Sequence, residues 1–462
     1  MVKLDQLPKE VIAAMPQALL NVLNVWPGMR ESASEIVLPI PATVPPPTTA
    51  KRTFYVSTAG NDANPGTLDK PFATIMGALN RVADLGAGDR VVVLPGTYAE
   101  AVNVIRGGDA SAYFTLASQV PFGAKIRSPA SSYSAVNIQK NFVTIDGFDV
   151  QSGGGGHGIE ATYLDGDTKK NGPHHISVVN NRVHDCAGGG IELAFGDYYL
   201  IDNNICFGNC ATNSFQGSGI SVYEPRAVAG TEDIRIIISR NTSYSNAAVN
   251  LTNGAEHSDG NGIIIDDFRN TQKPNPAGAY SKKTLVENNV CYYNGGKGIQ
   301  VYLSDNVIVR NNTCCFNNRD PKNPATWRGE FSNHNGSNNI FANNIGFADT
   351  KVNPFNAAIL DASSGGYTNV NVLWLRNLTF NGTPGNASIT QQPKNPTLVA
   401  TSPYLNLLGV DPLFVSPTDF HLQAKSPARD AGLMTYGVGT IDRDGKPRVS
   451  GTAADLGAYE VQ

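Results

Sequence analysis

Pairs of asparagine recur along the middle of this chain at a spacing that few folds can use. Asn181 of Asn180-Asn181 and Asn204 of Asn203-Asn204 lie 23 residues apart, and so do Asn289 and Asn312 of two later pairs; Asn343-Asn344 closes the series. Asp146-Gly147 and Arg240-Asn241 hold the same slot. The longer step of 48 residues from Asn241 to Asn289 contains one such unit plus inserted loops. A second series, Asn209, Asn246, Asn294 and Asn317, trails the first by five residues. A period near 23 with short apolar runs between the turns specifies a β solenoid, each coil stacked on the last. Asparagine suits such turns because it tolerates left-handed backbone and its amide bonds to neighbouring coils. The expectation is one turn column holding Asn181, Asn204, Asn241, Asn289, Asn312 and Asn344.

Composition agrees. Charged residues are 16% and glycines 47 of 462, which suits a turn-rich β protein better than a helical one. The net charge of −4 carries no footprint for nucleic acid. No window of about 20 apolar residues exists for a transmembrane helix. The first residues lack the basic, apolar and small-residue regions of an export signal. Six cysteines show no zinc-type pairing. Cys206, Ser243, Cys291 and Cys314 share one slot, two residues past the second Asn, and read as a core stack of small residues.

Residues 1–38 read as a helical segment, with Leu7, Val11, Ile12, Met15, Leu19, Leu20 and Leu23 at helical spacing and Pro16 as a kink. This helix either packs on the body or joins copies of the chain. Residues 39–52 are a Pro-rich extended linker. Residues 53–110 form an N-terminal cap and first coil, with a helix from about Ile75 to Leu85 and a buried strand around Val91-Val92-Val93. Residues 111–365 hold the coils, and 366–462 the C-terminal coils and cap.

Five segments share a Gly-Ile signature: Gly158-Ile159, Gly190-Ile191, Gly219-Ile220, Gly262-Ile263 and Gly298-Ile299. Strand alternation points each Ile inward and the next residue outward, giving Glu160, Glu192, Ser221, Ile264 and Gln300 in one outward column. The fourth residue past each Ile is Tyr163, Phe195, Glu224, Asp267 and Leu303. Coils about 4.8 Å apart would bring Glu224 and Asp267 together beside Asp266. Carboxylates that close repel unless a cation joins them, and hard cations favour such oxygen clusters. Asp259 and His257 stand at the exit of one of three long insertions, 225–232, 247–258 and 269–283, expected on one side of the solenoid as the walls of a groove. Lys297 sits in the Gly-x-Gly turn of the next coil, where an amine beside a cation would serve as a base. Glu160 and Glu192 are the natural pair for hydrolysis.

The passage from Phe54 to Tyr98 resembles the N-terminal entry of bacterial right-handed parallel β-helix proteins. The text from Asp411 to Glu460 resembles their terminal coil and cap. Together with the repeats, this resembles the pectate-lyase-like group of carbohydrate-active proteins, over roughly residues 53–462. The resemblance implies an all-β, right-handed parallel β-helix and an extracellular or periplasmic setting. It also implies a polysaccharide lyase that cleaves a uronic-acid-containing polymer by metal-assisted β-elimination. Under it Asp259, Asp266, Asp267 and Glu224 would hold Ca²⁺, and Lys297 would take the proton, with His257 as second candidate. Arg226, Arg269 and Arg328 would clamp substrate carboxylates, and Tyr223 and Tyr302 would stack on sugar rings. The alternatives are a glycoside hydrolase on the same scaffold, or a non-catalytic glycan-binding or phage depolymerase-type surface protein.

Overall fold

The computed structural model describes residues 50–462, apart from 165, 167–170, 213–215, 249–256, 273, 275, 323–327, 392–405 and 435–437. The N-terminal helical segment, most of the Pro-rich linker and the tip of the 247–258 insertion therefore lie outside the described residues.

The described chain winds as a right-handed parallel β-helix. Its strands form three parallel sheets of 11, 10 and 11 strands, each strand pairing with its equivalent in the coils before and after. The first sheet opens at Arg52–Val56, the second at Val102–Val104 and the third at Gly96–Tyr98. The described α-helix, Ile75–Arg81, is shorter than the expected run to Leu85. Thr74 caps its N-terminus by accepting from Gly77 N–H at 2.8 Å, and Glu100 accepts the amides of Ile75 and Met76. It buries Ile75, Ala78 and Leu79 against the opening coils, covering strand edges that would otherwise template aggregation.

The asparagine column forms as expected and runs further. The backbone N–H and side-chain Nδ2 of Asn204 both donate to Asn241 Oδ1, at 2.9 and 3.0 Å. The same double bond links Asn241 to Asn289, Asn289 to Asn312, Asn312 to Asn344, Asn344 to Asn377 and Asn377 to Asn406. The first asparagine of each pair takes the left-handed backbone, with φ between 52° and 57° at Asn180, Asn203, Asn288, Asn311 and Asn343. The Gly-Ile signature has a steric cause. A Cβ at Gly190 would lie 2.5 Å from Gly219 O, and one at Gly219 would lie 2.2 Å from Ser243 Oγ. The cysteines are free and buried, as their slot implied.

The second asparagine column ends on a carboxylate. Asn209 donates to Asn246, Asn246 to Asn294, Asn294 to Asn317, and Asn317 to Glu330, which fills the slot of the inward glycines and is fully buried. Burial pushes the Glu330 carboxyl up to about 8, against hydrogen bonds from Asn317 and Asn356 that favour its charged form. A folded-state value above the unfolded one gives stability that is full below the unfolded value and lost as pH rises through the folded one. The melting temperature should therefore fall between pH 7 and 8, a window above the ionisation of His157, His175 and His334, which burial holds down to about 4. Glu330→Gln should flatten this slope, worth up to roughly 1.4 kcal/mol per pH unit for one proton. Equal slopes in the two proteins, read by differential scanning calorimetry, would contradict this assignment.

Residues past Leu408 run back along the outside of the third sheet. Phe420 packs on Tyr292, Arg443 reaches Asn203 and Thr242, and Asn288, Asn311 and Asn343 donate to the carbonyls of Ile441, Asp455 and Leu433. This strap covers the third sheet and leaves the outward face of the second sheet for chemistry.

Candidate active site

The second sheet carries the Gly-Ile segments in register. Ile159, Ile191, Ile220, Ile263, Ile299 and Phe331 pair in sequence, so Glu160, Glu192, Ser221, Ile264, Gln300 and Ser332 form one outward column. Two residues on, Ala194, Tyr223, Asp266, Tyr302 and His334 form the next. Insertions 225–232 and 269–283 leave the exit edge of this sheet, whereas 247–258 enters at the opposite edge. The insertions therefore do not all join this sheet at the same edge.

Carboxyl groups on this face act on one another's charge. Burial raises Asp266 well above the usual carboxylate range, and the negative charges of Asp259, Glu192 and Asp267 add to it; one hydrogen bond, from Gln272 Nε2 at 2.9 Å, opposes them. Burial likewise pushes Glu192 up to about 7, with Glu160 and Asp259 as like-charged neighbours and Ser221 as a hydrogen-bond partner. Glu160, 5% exposed, is also pushed up to about 7 by burial. Asp259 differs. Burial raises it too, but the Lys297 ammonium and hydrogen bonds from Ser258 and Asn261 favour its charged form. Both carboxyls are thus raised, Asp266 well above the ordinary range and Asp259 against an opposing ammonium, a difference of the kind that separates an acid from a base.

Lys297, read from the sequence as a base in its turn, lies inside. It is 1% exposed and among the largest fully buried side chains, and its Nζ donates to Ser258 O at 2.6 Å. It threads under the turn and presents its charge to Asp259. His257 is also inside, with Nδ1 at 2.7 Å from Asp320 Oδ2. The three arginines face other partners. Arg269 forks onto Asp305 at 2.7 and 2.9 Å, Arg226 lies over the Phe195 ring, and Arg328 is 6% exposed with its guanidinium lowered by burial beside Asp320. Tyr223 stands edge-on to Phe195, while Tyr302 tilts against His334 with ring centroids 5.2 Å apart.

Glu224 and Asp267 are neighbours, as their column predicted, but the metal quartet does not assemble. Among the described residues no three His, Cys, Asp or Glu converge to hold a metal ion. Asp267 is fully buried and its oxygens accept from Thr271 N, Thr271 Oγ1 and Gln272 N, closing the turn after its own strand. Glu224 is raised by burial and hydrogen-bonds Tyr223 and Asp267. These residues do not fit a Ca²⁺ site.

His334, Gln272 and Tyr133 escaped the sequence reading. Burial holds His334 down to about 4, with Lys297 adding to the shift, so its imidazole is neutral at pH 7. Its coil replaces Gly-Ile with Glu330-Phe331, which broke the signature used to align the strands. No protein-family model and no curated protein matches the chain. Among solved structures it is similar to pectate lyase Pel9A, at 16% identity over 90% of this chain and 97% of that one, with a TM-score of 0.47. It is also similar to a rhamnogalacturonan lyase, at 14% identity over 79% and 91% with a TM-score of 0.37. A third is the GH136 lacto-N-biosidase from Eubacterium ramulus, at 14% identity over 78% and 68% with a TM-score of 0.43.

Proposed function

We propose that this protein is a glycoside hydrolase acting on a polysaccharide, with Asp266 as general acid and Asp259 as its ionised partner. The observation that carries this reading is the contrast between two carboxyls on one face. Asp266 sits among like charges with one hydrogen bond, whereas Asp259 has an ammonium and two hydrogen bonds. The Asp266 carboxyl gives its proton to the glycosidic oxygen as the bond to the anomeric carbon breaks. Asp259 faces the positive charge that develops on the sugar and takes a proton from the water whose oxygen bonds to that carbon, leaving a new reducing end. Lys297 acts through Asp259, holding it ionised, and is a positioning residue. Glu192 adds the negative charge that keeps the proton on Asp266. No step passes through a metal.

Metal-free β-elimination is the second reading. It is favoured by His334, a neutral imidazole beside Tyr302 and Lys297 on the same face. No described helix is long and apolar enough to cross a membrane. A polysaccharide substrate would place the protein's work outside the cell or in the periplasm.

Product chemistry separates the readings. Incubation with a panel of polysaccharides should release reducing ends without ultraviolet-absorbing unsaturated ends, at a rate that chelator leaves unchanged. Unsaturated ends would give the site to elimination. A rate abolished by chelator and restored by Ca²⁺ would overturn the metal-free mechanism.

A further inference from the structure

We propose that the polymer accepted by this face is uncharged, and that Tyr133 and Tyr163 grip it across Glu160 and Glu192, to the N-terminal side of Asp266. The inference deepens the hydrolase reading and rests on it.

The charge of the face comes first. The two outward columns carry Glu160, Glu192 and Asp266, with Asp259 at their entry edge. The cations around them serve other groups: Lys297 faces Ser258 O and Asp259, Arg269 faces Asp305, and Arg226 covers the Phe195 ring and donates to Asn171 Oδ1. Clamping a uronate takes an arginine or lysine aimed at the sugar's carboxylate. Here an incoming carboxylate meets carboxyl groups instead, and each of them that is ionised repels it. Sugar hydroxyls, by contrast, both donate and accept. Carboxyls near neutrality, such as Glu160 and Glu192 at about 7, match both roles.

The rings come second. Among the described residues the large exposed aromatics are Tyr133 at 58%, Tyr163 at 44% and Phe355. Two of these three border Glu160. Tyr133 precedes the neighbouring strand at the entry edge, and the charges of Glu160 and Glu192 reach its hydroxyl. Tyr163 follows Glu160 by three residues, at the exit edge. Both rings are held before any ligand arrives. Tyr133 stands edge-on to His157 at 5.9 Å, and Tyr163 stacks on Phe195 at 5.3 Å with an interplanar angle of 13°. Rings fixed in advance lose little entropy when the apolar face of a sugar lies on them. A neutral pyranose over Glu160 would have carboxyls beneath it and a tyrosine at each side.

The test uses the full chain carrying Asp266→Asn, to slow turnover. Its migration is followed in native gels containing glucan, mannan, galactan, xylan, polygalacturonate or carboxyl-reduced polygalacturonate, which keeps the linkage and removes the charge. Retardation is expected with at least one uncharged polymer. Tyr133→Ala and Tyr163→Ala should each weaken it about tenfold, with unchanged melting temperature. Stronger retardation by polygalacturonate than by its reduced form, weakened by salt, would overturn the inference. So would retardation by no uncharged polymer, or retardation indifferent to both tyrosines. If an uncharged polymer binds through the tyrosines but wild-type protein releases no reducing ends from it, the hydrolase reading fails and this inference stands.

Discussion

Asn289→Ala is expected to destabilise the protein by about 3–6 kcal/mol, summing the penalties for buried polar groups left unpaired. Asn289 Oδ1 accepts two bonds from Asn241, at 2.9 and 3.0 Å. Its Nδ2 donates to Ile238 O at 2.8 Å and to Asn312 Oδ1 at 2.9 Å. Truncation orphans two donors of Asn241 and the Ile238 carbonyl, all buried in mid-column where water has no access. Asn289→Asp should fare little better, because it keeps the acceptor but loses both donors and buries a charge. Urea unfolding followed by circular dichroism measures the loss. A decrease below about 1 kcal/mol would mean that the column is decoration on a solenoid held by its apolar strands.

The largest effect on chemistry is expected from Asp266→Asn. General acid catalysis contributes ~10²–10⁴-fold, and the amide cannot give up a proton, so turnover should fall by that factor. The pH profile sharpens the test. A general acid works only while protonated, so the wild-type rate should fall as pH rises through the elevated Asp266 value. Its ionised partner works only while charged, so the rate should fall on the acid side as Asp259 takes up a proton. Asp266→Asn should lose the alkaline limb from its residual activity, and Asp259→Asn the acid limb. Opposite assignments would exchange the roles of the two residues. A variant retaining more than a tenth of the rate would remove Asp266 from the machinery.

The fold was legible because solenoid coils repeat their constraints. Five successive corners keep a glycine where Gly190 and Gly219 sit, and the coils keep an amide where Asn204 and Asn241 sit, so the period is written directly in the residues. The outward register of Glu160, Glu192 and Asp266 followed from alternation alone. Depth did not follow. Lys297 reads as a base in a turn, and only its coil's packing shows it buried with its amine on Ser258 O. Proximity across an edge was equally hidden. Asp259 lies seven residues before Asp266, yet the turn at Gly260, with φ of 79°, brings its charge to bear on Asp266. The supposed metal cluster failed for a related reason. Glu224 and Asp267 do stack, but the turn after Asp267 supplies backbone amides that no residue pattern announces.

The protonation state of Asp266 tests the central claim most directly, because it can be read without knowing the substrate. Carbon-13 NMR of protein labelled at the aspartate carboxyls, compared with Asp266→Asn, identifies its resonance by difference. The mechanism predicts that this resonance keeps the chemical shift of a protonated carboxyl after the ordinary carboxylates have ionised, and titrates well above them. A resonance that titrates near 4, with the ordinary carboxylates, would contradict it.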